Sequence, residues 1–202
     1  MRKILISVVV LSGAAITACV PKPSNSPVTS SEPADISVVE GRKPSEEQQK
    51  AMLKAKEALF TRLSGRLMEV LTKSGPESAI RICKEEAPKI AQEISQQEGL
   101  SIGRTGVRLR NTHNRAPAWA RAWVDQKMDE PQFAVLSNDH VAALLPIRLQ
   151  PQCLMCHGPK DQLAPGVLAK LNELYPNDEA TGFEAGELRG WFWVELAKGT
   201  QP

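Results

Sequence analysis

The sequence predicts one α+β domain over residues 45–199, with helices flanking a small antiparallel sheet. Residues 45–98 carry apolar side chains at helical spacing, whereas four later stretches are short and apolar, as strands are. The chain has 202 residues, of which 42% are hydrophobic and 24% are charged. These values fit one globular domain with an N-terminal extension.

The first helix is predicted to begin after Ser45, because Ser45 and Gln48 have the spacing of a capping box. Apolar residues then recur every four positions, which indicates an amphipathic helix. These residues are Ala55, Leu59, Leu63, Leu67 and Leu71. Gly75 and Pro76 should end this helix and open the next one.

The second helix is expected to carry Cys83 on its apolar face. The residues of that face are Ala79, Ile80, Cys83, Ala87, Ile90, Ala91 and Ile94. Pro88 should kink this helix or end its first half. From spacing alone, the ordinary interpretation of Cys83 is a buried structural cysteine.

Residues 100–110 alternate between apolar and polar positions, which predicts a half-buried strand. A turn at 111–115 precedes a short helix that starts at Pro117 and carries Trp119 and Trp123. Strands are predicted at 132–136 and 141–149, joined by a hairpin turn. A helix at 165–174, a turn-rich stretch at 175–190 and a last strand at 191–196 complete the domain.

The N-terminus has the features of a lipoprotein signal peptide over residues 1–18. Arg2 and Lys3 precede an uncharged run at 4–16, which is too short to span a bilayer. The run ends in Ile16-Thr17-Ala18-Cys19, which resembles a lipobox and predicts lipidation of Cys19. The alternative is an ordinary secretory signal that is cleaved after Ala18.

Residues 19–44 are predicted to be a lipidated N-terminus followed by a disordered linker rich in proline and serine. The expected location is the periplasmic side of the cell envelope. Val20 after the lipidated cysteine favours the outer membrane, by resemblance to lipoprotein sorting. Without Arg2 and Lys3 the chain has equal numbers of basic and acidic residues, which argues against nucleic-acid binding.

The segment Cys153-Leu154-Met155-Cys156-His157 matches the attachment signature of c-type haem. Cys153 and Cys156 would form thioethers with one covalently bound haem, and His157 would be the proximal iron ligand. The alternatives are a chance pair, a redox dithiol, or a Cys₃His zinc site that includes Cys83.

A second axial ligand would have to come from upstream, since no Met, His or Cys follows His157. Met155 lies within the motif and is badly placed to reach the other haem face. The candidates that remain open are Cys83, His113, His140, Met52, Met68 and Met128.

Three arginines share the polar face of the strand predicted at 100–110. Arg104, Arg108 and Arg110 form either a solvated edge or a set of contacts to the haem propionates. Arginine suits the second role because its guanidinium pairs bidentately with carboxylates.

Several segments, in order and spacing, resemble a family of PAS-like monohaem c-type cytochromes, whose domain also forms the sensor part of some histidine kinases and chemotaxis receptors. The segments are Ala79–Cys83 with Ala87-Pro88, Ile102–Thr105 with Val107–Asn111, Ala116–Trp119, Pro146-Ile147 with Cys153–Gly158, and Tyr175–Asp178 with Ala180–Phe183 and Gly186–Gly190. The resemblance implies a PAS-like sheet and an axial pair of the motif histidine with a cysteine thiolate, which falls on Cys83. Gly106 and the pair Thr112-His113 depart from the family pattern.

The resemblance and the motif together predict an electron-transfer cytochrome with a low-potential iron, because a thiolate ligand stabilises the ferric state. A sensor of redox state or of a small gas, acting through a partner, is the alternative. No acid–base constellation indicates an enzyme. The sequence identifies no redox partner.

Overall fold

A computed structural model describes residues 36–199. The predicted signal peptide, the lipidated Cys19 and the linker up to residue 35 lie outside the described residues. The linker prediction was wrong at its end, because Val38–Val39 forms a short strand, β1, in the sheet. Two residues are too few to show a strand's alternation, so no sequence pattern predicts β1.

The core of the fold is a five-stranded antiparallel sheet in the order β1-β3-β4-β5-β2. The other strands are β2 (Ser101–Gly106), β3 (Gln132–Leu136), β4 (Val141–Arg148) and β5 (Leu188–Leu196). This confirms the predicted class, an antiparallel sheet with flanking helices. The hairpin predicted between β3 and β4 is also confirmed, with Val135 paired to Val141.

Helix α1 (Glu46–Arg81) starts at the predicted cap, where the Ser45 hydroxyl accepts from the Gln48 amide and the Gln48 side chain accepts from the Ser45 amide. The predicted break is at Gly75, whose φ of 80° is not helical. A π-helical segment (Ile82–Glu86) then leads into α2 (Ala87–Glu98), with Pro88 in its first turn.

These helices cover one face of the sheet. The core between them includes Met52, Leu59, Ile94, Leu145, Phe192 and Val194. The opposite face is covered by a 3₁₀ turn (Ala118–Ala120) and α3 (Arg121–Asp125), which bring Trp119 and Trp123 together edge-to-face at 6.0 Å.

Two strands differ from their predicted bounds by more than one residue. The strand predicted over 100–110 ends at Gly106, because the chain then leaves the sheet and the Leu109 carbonyl accepts from the Glu179 amide. The sequence pattern still alternates beyond Gly106 because Val107 and Leu109 are in contact with other apolar residues. The last strand starts at Leu188 rather than at residue 191.

The C-terminal half adds α4 (Leu154–His157) and α5 (Pro165–Leu174), the second of which has the predicted bounds. Alpha5 packs on Ile80 of α1 through Val167 and Leu171. None of the helices within residues 36–199 has both the length and the apolar character needed to cross a membrane.

Candidate functional site

A cavity of about 240 Å³ lies beside α1, the π-helical segment and the ends of β2, β4 and β5. One wall is apolar and comes from α1, through Phe60, Leu63, Leu67, Met68 and Leu71. Another wall contains Cys153, Cys156 and His157. The cavity therefore brings the C-x-x-C-H segment and the predicted distal residue Cys83 to one space.

The two cysteines of the motif lie on consecutive turns of 3₁₀ and α-helix. Cys153 ends the turn Pro151–Cys153, and Cys156 lies in α4. Residues three apart share one side of a helix, so both thiols line the cavity. Burial raises the pKa of Cys156 to about 11, against the opposing influence of Arg110. This thiol is therefore uncharged at neutral pH.

His157 is fixed by a hydrogen bond from its ring. Its Nδ1 lies 2.7 Å from the Ala180 carbonyl oxygen, which can only accept, so Nδ1 carries the proton and Nε2 has a free lone pair. Burial, followed by the charges of Arg110 and Arg189, holds the pKa of His157 well below its usual range. A neutral imidazole with its other nitrogen anchored is the form that binds a metal.

The loop of residues 178–183 holds the histidine segment in place. The Gly182 and Phe183 amides donate to the carbonyls of Gly158 and His157, at 2.8 and 3.0 Å. The Phe183 ring is fully buried and meets the His157 ring edge-on, with 6.3 Å between centroids. Residues 20 or more apart in sequence thus set the orientation of one imidazole.

Arg110 joins this loop to the motif. Its Nε donates to Asp178 at 3.0 Å, and its Nη2 donates to the carbonyls of Cys156 and Ala180 at 2.5 and 3.2 Å. The Arg110 and Asp178 side chains are only 7% and 9% exposed. The ion pair therefore fixes the carbonyl that in turn orients His157.

Cys83 sits in the π-helical segment. The Ala87 amide donates to the carbonyl of Ile82, five residues earlier, and Pro88 has no amide hydrogen to continue an α-helical pattern. Single π turns occur frequently at functional sites. Lys84 anchors the segment to the end of α5, since its Nζ donates to the Leu174 carbonyl at 2.9 Å.

Among the other ligand candidates, Met68 lines the cavity from α1. Met52 is buried in the core under the sheet. His113 is exposed beside Asn111, and His140 pairs with Glu195 at 2.7 Å. These two histidines and Met128 do not line the cavity, so within residues 36–199 Cys83 and Met68 are the candidates that do. Met155 also lines it but is 43% exposed.

The three predicted arginines have different surroundings. Arg104 and Arg110 line the cavity, whereas Arg108 stacks on Phe183, with its guanidinium carbon 3.8 Å from the ring centroid. Arg189 also lines the cavity, and no sequence pattern indicated it. It falls in the stretch interpreted as turns, two residues before the predicted strand, and its alignment with β2 depends on long-range pairing.

The zinc alternative lacks its geometry here. In the part of the chain that the structure describes, no three side chains of His, Cys, Asp or Glu converge as metal ligands. Cys83, Cys153 and Cys156 are all free thiols.

Residues 38–197 match the family model described as Tll0287-like. The fold also resembles the crystal structure of the cyanobacterial haem protein Tll0287, with a TM-score of 0.56 and 22% sequence identity. That alignment covers 79% of this chain and 100% of the other. No curated protein matches the sequence. The family resemblance seen in the sequence motifs is confirmed by the matched range.

Proposed function

The chain belongs to the Tll0287-like family, and from that premise we propose that it is an exported, lipid-anchored monohaem c-type cytochrome that transfers electrons. The observation that carries the proposal is the cavity itself. Four side chains with haem-binding chemistry, those of Cys83, Cys153, Cys156 and His157, line one space. The structural relative is described as a haem protein, which supports the haem-binding part of the proposal.

The residues present fit such a group. Cys153 and Cys156 would hold it through thioethers, and His157 would bind iron through Nε2, the nitrogen left free by the bond to Ala180. Cys83 would supply a thiolate as a second iron ligand. When bound, the haem supplies a one-electron change of oxidation state at its iron.

The remaining side chains exclude water and set the potential. The residues of α1 give the cavity one apolar wall, and an apolar surrounding lowers the local dielectric. A thiolate ligand in this setting favours the ferric state, so we expect a low midpoint potential. The fixed His157 ring would need little rearrangement when the charge of the iron changes, which suits electron transfer rather than catalysis.

A second candidate function is a redox or small-gas sensor that acts through a partner protein. The π-helical turn at Cys83 favours it, since π turns are less regular than α turns and occur at functional sites. Release of Cys83 on reduction would open a position for nitric oxide or carbon monoxide. The redox or signalling partner would be a protein of the same compartment.

The proposed location is the cell envelope, with the domain on the periplasmic side and Cys19 lipidated, at the outer membrane. This part rests on the signal peptide and lipobox pattern alone. Mass spectrometry of the N-terminal peptide from the native membrane fraction tests it, because a diacylglyceryl adduct on Cys19 is the expected result. A mature chain that still carries residues 1–18 would contradict it.

The haem proposal is tested by expressing the full chain with a cytochrome c maturation system and recording ferric and ferrous spectra. We expect a pyridine haemochrome typical of two thioether bonds and a stoichiometry of one haem per chain. Cys83→Ala should change the ferric spectrum and raise the midpoint potential, whereas Met68→Leu, the matched control on the other cavity wall, should change neither. An unaltered spectrum in Cys83→Ala would rule out the thiolate ligand.

Carbon monoxide separates the two functions. A ferrous spectrum that is unchanged by the gas supports electron transfer with both axial positions filled. Ready binding by the wild-type protein would favour the sensor.

A further inference from the structure

We propose that Arg104 and Arg189 form a paired guanidinium site for the two propionates of the bound haem, and that Arg110 has a structural role instead. The inference rests on the proposed haem function. Arg189 is added to the proposed propionate contacts. The arginines of the cavity differ in whether their guanidinium groups are already bound to other groups of the chain.

Arg110 is already engaged. Its Nε and both Nη2 hydrogens are taken by the carboxylate of Asp178 and the carbonyls of Cys156 and Ala180. This leaves only Nη1 free, and the side chain is 7% exposed. Arg110 therefore neutralises Asp178 and positions the histidine loop.

Arg104 lines the same cavity from β2 and makes no hydrogen bond or ion pair within residues 36–199. Burial lowers the pKa of Arg104, and the nearest negative influences on it are the Cys83 thiol and the Tyr175 phenol. A guanidinium in such a place has five donors and no carboxylate to receive them. It therefore offers a bidentate site to an incoming anion.

The Arg189 side chain reaches the cavity across Gly106 of the neighbouring strand, which has no side chain. Gly106 pairs with Gly190 across β2 and β5, and a Cβ atom added at Gly106 would lie 2.4 Å from Arg189 Nη1. The guanidinium donates once, to the Arg108 carbonyl at 3.0 Å. Burial, and then repulsion by Arg110 and Arg104, lowers the pKa of Arg189 to about 10. Asp178, which is already paired with Arg110, and Cys83 only partly oppose this shift.

The balance of charge around the cavity agrees with two bound carboxylates. Four arginines line the cavity, and two of them already have a carboxylate partner: Arg110 pairs with Asp178, and Arg148 pairs with Asp129. Arg104 and Arg189 have no such partner within residues 36–199. In a ferric haem with a thiolate ligand, the charges of the ring and the thiolate cancel that of the iron, so the propionates are the charges left over. Two unpaired guanidiniums would meet two carboxylates.

Arg108 provides a matched control on the same chain segment. It stacks on the Phe183 ring, donates to the Gly182 carbonyl at 3.3 Å, and does not line the cavity. Its removal deletes the same charge a short distance away but leaves the proposed propionate site intact.

The test is redox titration of the haem-loaded full chain across a range of pH, for wild type, Arg189→Gln, Arg104→Gln and Arg108→Gln. A nearby guanidinium lowers a carboxyl pKa by about 1–3 units. The midpoint potential should change with pH around the pKa of the propionates, and we call this change the propionate inflection. We therefore expect Arg189→Gln and Arg104→Gln each to raise the proton affinity of the propionates by about tenfold to a thousandfold, which moves the inflection to higher pH. Arg108→Gln should leave the inflection where it is in the wild type.

Unchanged inflections in both cavity variants would overturn the proposal. A larger shift in Arg108→Gln than in either cavity variant would also overturn it. If Arg189→Gln does not accumulate, Arg189→Lys keeps the charge, and we expect it to retain the wild-type inflection more closely than Arg104→Gln. Resonance Raman spectra give a second readout, since the propionate bending band should shift in the cavity variants alone. A wild-type protein without haem would refute the proposed function itself, whereas a loaded protein with unmoved inflections would refute only the arginine pair.

Discussion

Removal of the carboxylate from the buried Arg110–Asp178 ion pair should strongly destabilise the fold, and Asp178→Asn tests this. The substitution keeps the shape of the side chain, and Asn can still accept from the Ala180 amide through Oδ1. Its Nδ2 would instead face the Arg110 Nε, so that two donors meet. The guanidinium would then remain buried without its counter-charge.

The size of the effect follows from burial. The two side chains are 7% and 9% exposed, and their atoms are 3.0 Å apart. Breaking a buried pair on one side costs about 3–5 kcal/mol, because the remaining charge has lost its compensation. Arg148 and Asp129 form a matched exposed pair at 2.9 Å, with side chains 51% and 59% exposed. Such pairs contribute at most about 1 kcal/mol.

The assay is urea unfolding of the haem-loaded protein, followed by far-UV circular dichroism. We expect Asp178→Asn to lower the free energy of unfolding by about 3–5 kcal/mol, with an unchanged m-value, and Asp129→Asn to lower it by less than about 1 kcal/mol. Similar losses in both variants would refute the reasoning. They would mean that water or other donors compensate the Arg110 charge when the carboxylate is removed.

Two further predictions concern packing. Met52→Ala should lower the free energy of unfolding by about 2–5 kcal/mol because Met52 is 0% exposed. Leu53→Ala should lower it far less, since the Leu53 side chain is 42% exposed. Equal unfolding midpoints in urea for the two variants would contradict the assignment of the core. Gly190→Ala should destabilise the fold by about 1–3 kcal/mol, since its Cβ would lie 2.2 Å from the Thr105 carbonyl oxygen. Gly65→Ala in α1 should stabilise the fold by about 1 kcal/mol, because a Cβ there meets nothing within 4 Å. Thermal unfolding measures both, and stability changes of the same sign would contradict these expectations.

The parts of the site that could be predicted were those written locally in the chain. Cys153, Cys156 and His157 lie within five residues, and helical spacing placed Cys83 on an inward face. The cap at Ser45, the β3–β4 hairpin and α5 also depend on neighbours in sequence, and each was found where expected.

The missed parts depend on contacts between distant residues. Ala180 lies 23 positions from the His157 ring that it holds, and Asp178 lies 68 from Arg110. Arg189 reaches the cavity because Gly106 pairs with Gly190 and has no side chain in the way. No local periodicity carries that information, because strand register is set by the assembled sheet.

The position of β1 in the sheet bears on how the protein would present itself to a partner. Val38 pairs with Leu136 beside the turn that precedes Val141, while the cavity is met at the far end of β4, by Ile147 and Arg148. At about 3.4 Å per residue, these two ends are roughly 20 Å apart. If the chain is anchored through the residues before Val38, as proposed, the attachment would thus lie at the end of β4 opposite the cavity. The anchor itself would then leave the cavity end uncovered and within reach of a protein partner.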